Sequence, residues 1–137
     1  MSLKPFLMAA SKAFRVETRD ATVIVTPADD LERYRYHDVH CDVGRIHDLL
    51  SRPEFENVVV DLEWRFFGGM VLIDAMTAFC RAARNRAAHC RVSDEMAMRL
   101  AELKLTGLWP VYPSVEDALA SFHPGAGREP CPPEAFS

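Results

Sequence analysis

The sequence predicts one α/β domain: a mostly parallel central sheet with an N-terminal antiparallel edge strand and about four helices. Three observations carry this. β-Branched residues cluster at Val23-Ile24-Val25, inside a hairpin pattern near the start of the chain. The short apolar run Val58-Val59-Val60 has the composition of a strand covered on both faces. From there to Phe122, segments with apolar residues at helical spacing alternate with short strands, which is the pattern of a parallel sheet with helical crossovers.

Each element has its own signal. Phe14 to Glu17 and Thr22 to Thr26 form the opening hairpin, turning at Arg19-Asp20. Asp29-Asp30-Leu31 after Pro27 is a turn, and Val39, Val43, Ile46 and Leu50 then mark a first helix that Pro53 closes. Asn57 to Leu62 is the central strand. The Gly68-Gly69 pair breaks the pattern as a tight strand-to-helix turn needing positive φ, and Leu72, Met76, Phe79 and Ala83 mark the buried face of a second helix. Cys90-Arg91-Val92 is a brief parallel strand. Ser93 or Asp94 caps a helix with a stripe of Met96, Leu100 and Leu103, stopped at Gly107. Val111-Tyr112 is the last strand, and Ser114 with Asp117 resembles a capping box opening a helix from Val115 to Phe122.

Residues 13–122 are therefore the domain and residues 1–12 an N-terminal extension. Residues 123–137 are a Pro- and Gly-rich tail whose composition predicts disorder. Hydrophobic residues at 49% and charged residues at 26% fit a packed, water-soluble body. Sixteen Lys plus Arg against twenty Asp plus Glu leave a formal charge of −4, which offers no general attraction to nucleic acid. Apolar runs such as Met70-Val71-Leu72-Ile73 are far shorter than the roughly 20 residues a membrane span requires, and the opening apolar stretch is too short for a signal peptide. The expectation is a cytoplasmic chain with no membrane partner, its four cysteines (Cys41, Cys80, Cys90, Cys131) reduced.

Candidate chemistry is sparse. His37, His40, Cys41 and His47 are metal-ligating types, with 37, 40 and 41 on one helical side, but their spacing matches no zinc pattern and a solvated polar face accounts for them. Arg81, Arg84, Arg86 and Arg91 form one basic cluster, a solvated face or a small dock for acidic side chains. Asp61, Glu63 and Asp74 have no nucleophile or cofactor loop beside them, and Glu63 and Asp74 are expected to face solvent. Neither G-x-x-x-x-G-K nor G-x-S-x-G occurs. No enzymatic activity, cofactor or metal is expected. Of Trp64, Phe66 and Phe67, one Phe is expected in the core and Trp64 at the surface.

The order of elements, together with Val58-Val59-Val60-Asp61-Leu62, Phe66-Phe67-Gly68-Gly69, Leu103 to Leu108 with its Thr106-Gly107, and Tyr112-Pro113-Ser114-Val115-Glu116-Asp117-Ala118-Leu119, resembles the STAS domain over Phe14 to Phe122. STAS domains occur in bacterial anti-sigma-factor antagonists and in the cytoplasmic tails of sulfate transporters. The resemblance implies a non-enzymatic protein-interaction module with an anti-sigma-type kinase as partner. In that family an Asp-Ser pair opens the second helix, and its Ser is phosphorylated. Here Gly68 and Gly69, or Gly69 and Met70 without a gap, fill those positions, so no phosphorylation site is assigned. The contact surface that the resemblance implies comprises Asp29, Asp30, Leu31, Trp64, Phe67, Gly68, Gly69 and Met70. Alternatives are a small-molecule- or metal-binding regulator on the same fold, and a self-associating subunit, such as a homodimer, of a signalling complex.

Overall fold

The computed structural model describes residues 13–104 and 110–122. Strand β1 (Phe14–Arg19) turns at Asp20 into β2 (Thr22–Pro27), antiparallel, with Arg19 opposite Thr22. Asp20 takes φ 51°, a left-handed conformation that Asp tolerates better than most side chains. A single 3-10 turn, Leu31–Arg33, leads to α1 (Tyr36–Leu50). Then follow β3 (Asn57–Asp61), α2 (Met70–Ala82), β4 (Arg86–Cys90), α3 (Asp94–Glu102), β5 (Val111–Tyr112) and α4 (Val115–Ser121).

The five strands lie in sequence order, and every pairing after the hairpin is parallel. Steps from each strand to the next, always in one direction and with one hand of crossover, carry α1, α2 and α3 to the same face. The two cores record this. Val23, Val25, Val58 and Val60 pack with Val39, Ile46 and Leu50 of α1, Leu72, Met76 and Phe79 of α2, and Met96 and Leu100 of α3. The intervening Ile24, Val59, Ala88 and Cys90 face the other way, onto Ala118 of α4. This is the period of two in a pleated strand, and it explains why β3 reads as an unbroken apolar run: both its faces are covered.

The caps follow local chemistry. Ser93 Oγ accepts the Met96 amide at 3.1 Å, and Ser114 Oγ accepts the Asp117 amide at 3.1 Å.

The structure corrects the sequence reading at two places and fixes a helix start that it left open. The fourth strand is Arg86–Cys90 and not Cys90-Arg91-Val92, because Arg91 sits at φ 54° and leaves the extended conformation there. The first helix begins at Tyr36, ahead of its periodic apolar positions. Gly69 has φ −83°, so the left-handed backbone of this region lies instead at Glu63 and Trp64. The extension 1–12, the expected stop at Gly107, the tail 123–137 and Cys131 lie outside the described residues. Among the described residues, no helix is long and apolar enough to cross a membrane.

Candidate partner-binding face

The carboxyl ends of β2, β3 and β4 bring together the segment after Pro27, the loop from Leu62 to Gly69, and the start of α3. Beyond β3 the chain makes a tight turn in which the Arg65 amide donates to the Leu62 carbonyl at 2.9 Å. Its two central residues, Glu63 (φ 51°) and Trp64 (φ 64°), are both left-handed, the conformation of a type I′ turn. Neither is Gly, so each position carries strain of about 1 kcal/mol or more that the surroundings must hold.

The surroundings do hold it. The Trp64 amide donates to the Arg91 carbonyl at 2.7 Å and the Leu62 amide to the Cys90 carbonyl at 3.1 Å, extending the β3–β4 ladder past the strand ends. The Arg91 guanidinium meets the buried Asp61 carboxylate with both prongs, at 2.9 and 2.5 Å, and this hydrogen bonding raises the Arg91 pKa. Asp61 also accepts the Glu63 amide at 3.2 Å. Glu63 lies at the centre of three arginines: Arg15 at 2.8 Å, Arg65 at 3.5 Å and Arg91 at 3.7 Å. Arg65 reaches across to Asp29 at 2.9 Å. At the far end of the loop, Arg99 of α3 donates to the Gly68 carbonyl at 2.8 Å. Arg15, Arg65 and Arg91 with Asp29, Asp61 and Glu63 thus bind the loop while cancelling one another's charge, and Arg99 ties down its far end.

What remains outward is apolar. Trp64 is 55% exposed, Phe66 51% and Met70 46%. Phe66 folds its ring over Gly68, 3.2 Å from where a Cβ would stand. Met98, also exposed, is the neighbour of Arg99, which touches the Met70 sulfur at 3.8 Å.

Of the residues that the sequence pointed to, Asp29, Asp30, Trp64, Gly69 and Met70 are exposed around this face, with Gly68 half-buried among them. Leu31 (0% exposed) and Phe67 (3%) are core side chains; they pin the two loops from beneath and present nothing to a partner. Phe67 is the buried phenylalanine of the pair and Phe66 the exposed one; sequence reasoning did not single out Arg15, and it placed Glu63 in solvent although it is half-buried among arginines. Asp74 is exposed as expected. The four-arginine cluster is not one patch. Arg91 belongs to this face, whereas Arg84 donates to the Ser51 carbonyl and Arg86 to that of Ser121, at the opposite end of the sheet. Among the described residues, no three His, Cys, Asp or Glu side chains converge as a metal site.

No family model and no curated protein matches the chain. Solved structures do. An anti-sigma-factor antagonist (STAS) domain protein from Planctomyces limnophilus superposes with TM-score 0.59 at 21% identity, over 77% of this chain and 94% of that one. The fold is that of a STAS domain. The anti-sigma factor antagonist SpoIIAA in its unphosphorylated form gives TM-score 0.64 at 17% identity, over 78% of this chain and 93% of its own. The Bacillus cell fate determinant SpoIIAA in its phosphorylated form gives 0.56 at 18% identity, over 81% and 100%. At these identities the likeness concerns the STAS architecture, a hairpin followed by three parallel strands with helices between them. Residue roles must come from the side chains of this chain.

Proposed function

We propose that this chain is a non-enzymatic protein-interaction module of bacterial signalling, similar to an anti-sigma-factor antagonist but not switched by phosphorylation at the start of α2. The observation that carries the reading is the loop from Leu62 to Gly69: its strained backbone is held by ion pairs and ladder hydrogen bonds, yet it turns Trp64, Phe66 and Met70 into solvent. Interfaces gain most from large side chains already fixed in place, because less freedom is lost on binding. With Gly68 and Gly69 at the helix start there is no hydroxyl to phosphorylate at those positions, so binding would be constitutive or controlled from the partner's side.

On this reading the domain spans residues 13–122, the chain works in the cytoplasm in the control of transcription, and its partner is an anti-sigma-type kinase. The contact face comprises Asp29, Asp30, Trp64, Phe66, Gly69 and Met70, with Leu31, Phe67 and Gly68 shaping it. The test is affinity capture of the full chain from its own cells, in parallel with Trp64→Ala and Gly69→Asp. Recovery of a kinase by the wild type, reduced at least tenfold in both variants at unchanged circular dichroism, supports the reading. Equal recovery by all three moves the contact surface elsewhere, and no specific protein recovered by the wild type rejects the adaptor role.

A further inference from the structure

On the exposed side of α1, His37 Nε2 and Cys41 Sγ lie 3.6 Å apart. The two residues are four apart in the helix, so their side chains project from one face over the same turn. An imidazole nitrogen and a thiolate sulfur bound to one tetrahedral zinc, at metal distances of about 2.05 and 2.3 Å, stand about 3.6 Å from each other. The spacing of the histidines and Cys41 in the sequence matches no zinc motif, but the distance between these two atoms is the bite of an N,S chelate.

Two donors fill half of a tetrahedron. The pair stands on a convex, solvent-facing surface, and Gly44, three residues beyond Cys41, adds no side chain to that stripe. Among the described residues, nothing lies within 4 Å of where its Cβ would be. A helix interior normally avoids Gly, at a cost of about 1 kcal/mol relative to Ala, and no packing among the described residues calls for it here. It does leave room for a second helix to approach closely beside the chelating pair. A twofold arrangement of α1 against α1 supplies the same His and Cys from the other copy, giving a closed, isologous contact around one ion.

We propose that His37 and Cys41 are half of a binding site for a borderline-soft divalent cation of the Zn²⁺ class, and that two copies of this chain complete the site as His₂Cys₂ around a single shared ion. On binding, each Cys41 thiol gives its proton to solvent and the thiolate lone pair goes to the metal; no oxidant or reductant is involved. The site uses none of the side chains named for the loop face above, so metal-linked pairing and partner binding are tested by different variants.

The test uses the untagged full chain with Zn²⁺ alone as the probe, read by sedimentation velocity under reducing conditions, and with Co²⁺ as a spectroscopic substitute. The expected result is a doubling of mass that saturates at one Zn²⁺ per two chains, reverses with a chelator, and is lost in both His37→Ala and Cys41→Ser. His47→Ala, about 15 Å further along the helix, should retain it. Co²⁺ should show the intense visible bands of tetrahedral coordination with thiolate charge transfer. A mass that stays monomeric at every Zn²⁺ concentration overturns the proposal, as does zinc-dependent association that persists in both His37→Ala and Cys41→Ser.

Discussion

Cys90 and Arg91 are neighbours in sequence, and the end of β4 gives them opposite fates. The Cys90 side chain stays in the small core between the sheet and α4, where burial first and the Asp61 carboxylate second push its thiol up to about 12. It is therefore a thiol throughout the physiological range and a poor nucleophile. Iodoacetamide followed by peptide mass mapping should modify exposed Cys41 in the native protein and Cys90 only after unfolding. Arg91 instead turns out through its left-handed backbone and caps Asp61, which is 3% exposed. Arg91→Ala would leave that carboxylate buried without its counter-charge, at a cost of about 3 kcal/mol, the low end for a broken buried pair because the guanidinium itself is partly in solvent. Adding Asp61→Asn to Arg91→Ala should restore part of the loss in urea melts, since a neutral amide needs no counter-ion. A loss below 1 kcal/mol in Arg91→Ala would mean that the backbone ladder alone holds the loop.

The loop from Leu62 to Gly69 is the element on which structure and proposed function meet, and its backbone and side chains make separable predictions. Trp64→Ala and Trp64→Gly both delete the indole, so both should abolish capture of a partner. They differ in the backbone: at φ 64° an alanine Cβ still meets the carbonyl clash of the left-handed region, and a glycine does not. Trp64→Gly should therefore be the more stable of the two by about 1 kcal/mol, reversing the usual order of Ala over Gly. Equal stabilities, measured by chemical denaturation, would show that the turn relaxes out of its left-handed conformation once the side chain is gone. This turn could not be read from the sequence, because Glu-Trp carries none of the Gly, Asn or Asp that announce a type I′ turn. The Gly68-Gly69 pair drew attention instead, although Gly69 has φ −83° and Gly68 is not left-handed either. The loop is imposed by contacts with β4 and α3, from residues about thirty positions away, and not by local preference.

At the scale of the whole molecule, the sheet and helices were legible where apolar periodicity was strong, as at Val58-Val59-Val60 and along α2. β4 was displaced because Arg86-Ala87-Ala88-His89-Cys90 contains no β-branched residue. The small side chains of Ala87, Ala88 and Cys90 suit a strand packed between α2 and α4. That same strand places a titratable ring inside the protein. His89 is 4% exposed, and burial lowers its pKa from 6.5 to about 3. In the unfolded chain the ring takes up a proton near pH 6.5, whereas in the folded chain it stays neutral down to about pH 3. Between those values the unfolded state holds more protons, so acid favours unfolding; above pH 6.5 neither state is charged and this contribution is flat. Stability should fall by about 1.4 kcal/mol per pH unit once the unfolded ring is fully charged, about 3 kcal/mol in all by pH 4.5. Urea melts across pH 4.5 to 8 should show that slope in the wild type and a shallower one in His89→Gln, where nothing at this position titrates. The comparison rests on slopes and not on absolute stabilities, so a loss of packing in the variant does not obscure it. Equal slopes in the two proteins would place the proton uptake on another group.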